Sequence, residues 1–208
     1  MIKVKSFYLT DTGRVREHNE DSVTILKNIS GEYLCVVADG MGGHRKGEVA
    51  SALTVAHLGK RFTESASIGT KIDAVNWLSD NINEINKEIL NYGEENENSK
   101  GLGTTVVAAI VTKDFLIFAN IGDSSGYVIK NNKLHKVTKP HTLVNLLVDA
   151  GDLTPEQAAN HPKKNVLMKA LGAAEKCEPD IFDVDNESNA VFLCSDGLTG
   201  MLSDEQIE

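Results

Sequence analysis

The chain has 208 residues, 41% hydrophobic and 25% charged, with a net charge of −9. That size and mix fit one globular domain with its own core. The acidic balance excludes a general binder of nucleic acid or anionic membrane, whose phosphates would repel it. No apolar run reaches the roughly 20 residues that cross a bilayer, and no secretory leader precedes the first strand-like alternation. Cys35, Cys177 and Cys194 show no motif spacing, and Cys35 and Cys194 read as small buried hydrophobes. The expectation is a cytoplasmic monomer.

In chain order, residues 3–10 alternate like a strand and turn at Asp11-Thr12-Gly13 into a polar loop over 14–21. A strand over 22–27 and a turn over 28–32 lead to the apolar strand 33–38, which ends on Asp39 and the glycine-rich Gly40-Met41-Gly42-Gly43. A helix follows from Glu48 to about Phe62, with Val49, Ala52, Leu53, Ala56 and Phe62 on an apolar face that Val55 and Leu58 broaden. In the next helix Ile72, Val75, Leu78, Ile82, Ile85 and Ile89 recur at spacings of three and four, which predicts one core-facing stripe. Gly93 and the polar run 94–100 end it as an exposed loop.

Strands are predicted over 102–112 and 115–121, with Gly122-Asp123-Ser124-Ser125 breaking the second. Residues 127–130 and 134–137 read as a hairpin across Asn131-Asn132. The pattern turns helical over 142–171, where Thr154-Pro155-Glu156-Gln157 is a helix start signal, and strands return over 180–184 and 190–194. Strands in runs, with helices grouped between them, argue α+β with mainly antiparallel sheets. Ser203-Asp204-Glu205-Gln206 is another helix start signal, two residues before the last residue, Glu208. A helix that short is not stable alone, so the expectation is a tail that frays or a chain that belongs to a longer protein, the second being preferred.

Three strand ends deliver an aspartate followed by a small residue: Asp39-Gly40, Asp123-Ser124 and Asp196-Gly197. Oxygen-rich sets of this kind suit the hard cations Mg²⁺ and Mn²⁺, whereas zinc prefers histidine and cysteine. The Gly40 carbonyl is a further candidate ligand. Two such ions about 4 Å apart activate a water and neutralise a phosphoryl group together. Arg16 offers a planar donor fork for phosphate oxygens. Glu20 and Asp21 read either as surface charges or as acceptors for metal-bound water.

Taken in order, Arg16-Glu17-His18-Asn19-Glu20-Asp21, Ala38-Asp39-Gly40-Met41-Gly42-Gly43-His44, Gly101-Leu102-Gly103-Thr104-Thr105, Gly122-Asp123-Ser124 and Cys194-Ser195-Asp196-Gly197-Leu198-Thr199 closely resemble the bacterial branch of the metal-dependent protein phosphatase 2C (PPM) family. The resemblance spans essentially the whole chain, read as a single catalytic domain over 1–208 that lacks its C-terminal end. It implies an α-β-β-α sandwich: two mainly antiparallel sheets with helices on both outer faces and a metal centre at one end. It implies two Mn²⁺ or Mg²⁺ ions per site and room for a third. Asp39 bridges two ions, Gly40 binds one, Asp196 binds the other, and Asp123 with Asp196 matches the third position. Arg16 matches the phosphate-binding arginine. The implied reaction is hydrolysis of phosphoserine or phosphothreonine in proteins by a water bridging the metals. The implied partners are phosphorylated proteins and the serine/threonine kinase that makes them. Residues 141–165 correspond to the flap beside the substrate.

The chain departs from that pattern in places. The late Gly-Gly-x-Asp-Asn motif, whose aspartate completes the metal set, would fall beyond Glu208. Ser125 stands where arginine is usual, Pro140 replaces an aspartate, and Lys164, Met168 and Lys169 replace Arg and Thr-Arg. Met41 occupies the place of the animal branch's candidate general-acid histidine, with His44 nearby as an alternative donor. The competing expectation is a phosphatase-like scaffold or phosphopeptide-binding module with an incomplete metal site. A hydrolase of small phosphate esters would use the same residues.

Overall fold

A computed structural model describes residues 4–42, 46–96, 99–185 and 187–208. In it the apolar run at 33–41 becomes β2 (Tyr33–Met41), paired antiparallel with β1 (Asp21–Lys27) on one side and β4 (Val106–Val111) on the other. The short β3 (Gly103–Thr104) caps the end of β2, and β5 (Leu116–Ile121) and β8 (Asp180–Val184) extend the sheet beyond β4. A second antiparallel sheet runs β7-β6-β9, from β6 (Ser125–Lys130), β7 (Lys133–Lys136) and β9 (Ala190–Cys194).

Alternation along the central strands sends side chains to two cores. Leu34, Val36, Ala108, Ile110, Ile117 and Ala119 point to α1 (Lys46–Glu64) and α2 (Lys71–Glu95), which cover the outer face of the first sheet. Their neighbours Ala109, Leu116 and Phe118 point the other way and meet Val128, Val191 and Leu193 of the second sheet. The short α5 (Asp196–Thr199) and α6 (Asp204–Ile207) lie by β9 and β7. The α+β sandwich read from the sequence is the observed architecture. No helix among the described residues is long and apolar enough to cross a membrane.

Several elements differ from expectation. Residue 3 lies outside the described residues, and 4–10 form no strand: Phe7 is 82% and Leu9 76% exposed. An alternating segment becomes a strand only where a neighbour takes its backbone bonds, and among the described residues no strand pairs with it. The first helix begins at Lys46 and buries the expected Leu58 and Phe62, with Val49 and Val55 packed partly against the core, but it also buries Ala50, Ser51, Thr54 and Gly59 and leaves Ala52 and Ala56 outside. Close approach selects the inward face here. A Cβ on Gly59 would sit 2.7 Å from Leu26 Cδ1, so small side chains share the sheet-facing side with Leu58 and Phe62, and apolar periodicity misplaces Ala52 and Ala56.

In α2 the stripe Leu78, Ile82, Ile85 and Ile89 is fully buried and Val75 packs partly against it, but Ile72 is 71% exposed. At about 100° per residue Ile72 lies roughly 80° around from Ile82, and Ala74 takes the inward position. Gly93 stays inside this helix, which runs on to Glu95. The strand predicted over 102–112 splits at Thr105 into β3 and β4.

Only α3 (Leu143–Ala150) and α4 (Pro155–Ala159) are helical within 142–171; α4 starts at Thr154 with the predicted capping box. The Ser203 capping box also forms and opens the single turn of α6. Tyr127 Oη donates to Asp204 Oδ1 at 2.9 Å and Leu134 N donates to Glu208 Oε2 at 3.1 Å, so tertiary contacts supply what so short a helix lacks.

Candidate metal centre

Strand register gathers the acidic residues. In the β1–β2 ladder Asp21 is the direct partner of Asp39. In the β6–β9 ladder Ser125 is the partner of Cys194, which brings the Gly122–Ser124 turn before β6 to the same end as Asp196, the first residue of α5 after β9. Thus the aspartates that close three separate apolar strands come together with Asp21.

The backbone of Asp39 is held from both sides. Its N–H donates to Thr105 Oγ1 at 3.0 Å, and its carbonyl accepts from Thr105 N at 2.9 Å and Thr104 Oγ1 at 2.8 Å. Thr105 Oγ1 also lies 2.7 Å from Ser124 Oγ, so the Asp39 strand and the Asp123 turn share a hydroxyl pair. Ser195 Oγ donates to Asp21 Oδ2 at 2.6 Å, tying the residue before Asp196 to the carboxylate beside Asp39. Gly40 and Gly47 pack backbone to backbone: a Cβ on either would collide with the other's main chain. The glycine after Asp39 therefore lets α1 start directly against the end of β2, whatever its carbonyl binds.

Electrostatics follow from this crowding. Burial, then the charges of Asp21 and Asp196, a hydrogen bond with Asp196 and the charge of Asp123 push Asp39 up to about 8. Burial and the charge of Asp196 push Asp123 up to about 6, against the opposing effects of its own backbone N–H and Lys136. Carboxylates so placed disfavour one another's charge. Among the described residues no three histidine, cysteine or acidic side chains are drawn to common-ligand spacing. Asp21, Asp196 and Asp123 all act on Asp39 through charge.

The remaining predicted residues are less involved. Arg16 is exposed in the loop before β1, and among the described residues no ion pair joins it to the carboxylates. Glu20 is half-buried, and its contacts are through its carbonyl, which accepts from Gly40 N at 3.1 Å and Ser51 Oγ at 2.6 Å. Met41 packs toward Gly103, and a thioether carries no transferable proton. His44 lies outside the described residues. Sequence reasoning missed Ser195 and Ser124 as partners of the cluster, and it gave Thr104 and Thr105 no task although they stand in a quoted motif.

The donor set fits a hard divalent cation. Its acidic members are carboxylates with neither histidine nor thiolate among them, and a positive charge at their centre would reverse the repulsion that raises Asp39 and Asp123.

Comparison with known proteins agrees with this chemistry. A family profile described as protein phosphatase 2C matches residues 12–207. The serine/threonine phosphatase Stp of Listeria welshimeri is 43% identical over 202 residues, covering 97% of this chain and 80% of that protein. The crystal structure of the serine/threonine phosphatase Stp1 from Staphylococcus aureus superposes with a TM-score of 0.90 at 40% identity, covering 96% of this chain and 79% of that one. The catalytic domain of the phosphatase PstP, solved in complex with two manganese ions, superposes with a TM-score of 0.78 at 35% identity, covering 95% and 79%.

Proposed function

This chain belongs to the protein phosphatase 2C family, in its bacterial serine/threonine phosphatase branch, and from that premise we propose that it hydrolyses phosphoserine and phosphothreonine in proteins with two divalent cations, Mn²⁺ or Mg²⁺. The observation that carries this reading is the convergence of Asp39, Asp123 and Asp196 from ends of strands far apart in sequence, near enough that the charges of the other two raise Asp39.

Asp39 and Asp196 would hold the pair of ions, with the Gly40 carbonyl on one of them and Asp123 available to a third. When bound, the cations supply Lewis acidity, which makes water a nucleophile at neutral pH and offsets phosphoryl charge. Arg16, exposed in the loop before β1, binds the phosphate oxygens of the incoming residue. Asp21, oriented by Ser195, accepts a hydrogen bond from the attacking water and limits its rotation. Thr104 and Thr105 hold Asp39 in place from the backbone side.

A cysteine-based route is disfavoured by the thiols themselves. Burial pushes Cys35 and Cys194 up to about 11 and also raises Cys177, so none offers the thiolate such a route needs. The reaction class that supplies the substrate is phosphoryl transfer to serine or threonine, the work of a protein kinase.

Phosphate release from a phosphothreonine peptide, measured with and without Mn²⁺ and with Asp39→Asn as control, tests the reading. The expected result is turnover that needs Mn²⁺ and is lost in the variant. Turnover independent of metal, or untouched by the substitution, rejects it.

A further inference from the structure

His141 opens the segment that carries α3 and α4, yet its contacts reach out of that segment on two sides. Its Nδ1 accepts from Gly122 N at 3.1 Å, and its own backbone N–H donates to Gly122 O at 2.9 Å. One residue thus engages both polar groups of Gly122, whose φ of +101° turns the chain immediately before Asp123. The His141 carbonyl accepts from Met168 N at 2.8 Å, and Leu143 N donates to Val166 O at 2.8 Å, so the two ends of the segment are clasped together.

The far side of the ring faces Asp180 of β8, with Nε2 3.0 Å from Oδ2. That approach misses hydrogen-bond geometry, so we treat it as an electrostatic contact. Lys169 Nζ lies 3.1 Å from the other oxygen of Asp180. Burial acts to raise Asp180, but pairing with His141 and Lys169 outweighs it and lowers the carboxyl below its ordinary value. Since Nδ1 is an acceptor, the neutral ring carries its proton on Nε2, toward that carboxylate. Asn120 supports the same turn, donating from Nδ2 to Gly122 O at 3.2 Å and to Lys139 O at 3.1 Å.

A part-buried histidine in a connecting segment is ordinarily a packed residue with its polar atoms satisfied. Here Nδ1 and both backbone groups are hydrogen-bonded, Nε2 faces the Asp180 carboxylate, and two of the three hydrogen bonds fall on Gly122, the residue before Asp123. We propose that His141 is a positioning residue for the Asp123 turn: through Gly122 it sets where the Asp123 carboxylate stands, and it thereby links the base of the 141–171 segment to cation binding. This rests on the reading of Asp123 as a ligand for a divalent cation.

The test is Mn²⁺ affinity, followed by the loss of the free-ion paramagnetic resonance signal, for the full chain and the variants His141→Asn and His141→Gln. Asparagine places its Oδ1 near the position of Nδ1 and keeps an acceptor for Gly122 N. Glutamine reaches toward Asp180 and loses that acceptor. The expected result is weakening of the weakest Mn²⁺ class by about tenfold in His141→Gln, as for other residues that orient a ligand. His141→Asn is expected to stay within about twofold of wild type, by the same reasoning. Equal affinity in wild type and both variants overturns the inference, as does equal weakening in both variants.

If His141→Gln does not fold, Asp180→Ala replaces it, compared with Lys169→Ala, which removes the other partner of Asp180. Weaker Mn²⁺ binding in Asp180→Ala than in Lys169→Ala supports the inference, and equal binding in the two overturns it. A wild-type chain that titrates no Mn²⁺ at all overturns instead the metal-dependent reading, and the inference with it.

Discussion

Asp21 and Asp39 stand directly opposite one another on neighbouring antiparallel strands, two carboxylates where a ladder ordinarily places compatible partners. The pair is kept in place by strand register, by Ser195 on the Asp21 side and by Thr105 on the Asp39 side.

A pH dependence of stability follows for protein stripped of metal by a chelator. Asp39 rises from 3.8 to about 8 on folding and Asp123 from 3.8 to about 6. The folded state therefore binds protons more tightly than the unfolded one between those values. Stability falls as pH rises through that window. The melting temperature of the chelated protein is expected to decline from about pH 5 to about pH 8, and Asp39→Asn is expected to flatten the decline. A chelated wild type whose melting temperature climbs over that range contradicts this account.

Gly40→Ala and Gly47→Ala each insert a methyl where two backbones touch. Both should be destabilised by about 3 kcal/mol, the upper part of the usual range for overpacking. Denaturant titration measures it. A loss below about 1 kcal/mol would show that α1 can shift away from β2 without consequence.

Ser195→Ala removes the 2.6 Å hydrogen bond to Asp21. The carboxylate then loses its orientation while the metal donors themselves remain. The expectation is a fall of about tenfold in kcat/KM with the Mn²⁺ requirement intact. Steady-state kinetics at saturating Mn²⁺ decides the point, and unchanged kcat/KM removes Ser195 from the mechanism.

Arg16 is exposed, so Arg16→Ala should leave stability within about 0.5 kcal/mol of wild type. Its loss should appear as weaker substrate binding, with a higher KM for a phosphopeptide. Lysine should restore this only in part, because it lacks the planar fork. An unchanged KM excludes Arg16 from phosphate recognition.

Much of this was legible in the sequence because it depends on strand ends. Apolar runs closing on Asp39, Asp123 and Asp196 mark positions where a sheet stops and a carboxylate is presented, and the sheet brings those positions to one end. The stripe from Leu78 to Ile89 was legible for a similar reason, since a single period fixes its face. What was not legible depends on the approach of backbones and on long-range hydrogen bonds. Ser51, Thr54 and Gly59 face the sheet because α1 lies close to it, which hydropathy does not record. The bonds of Ser195 to Asp21 and of His141 to Gly122 join residues 174 and 19 positions apart, and no local pattern announces them. Residues 4–10 show the converse error, a strand pattern with no neighbour to pair with it.

The most direct measurement is anomalous X-ray scattering from a crystal of the wild-type chain grown with Mn²⁺. The account predicts manganese peaks coordinated by the carboxylates of Asp39 and Asp196, and their disappearance in Asp39→Asn. Crystals with no manganese at these side chains, or with the same peaks in the variant, would contradict it.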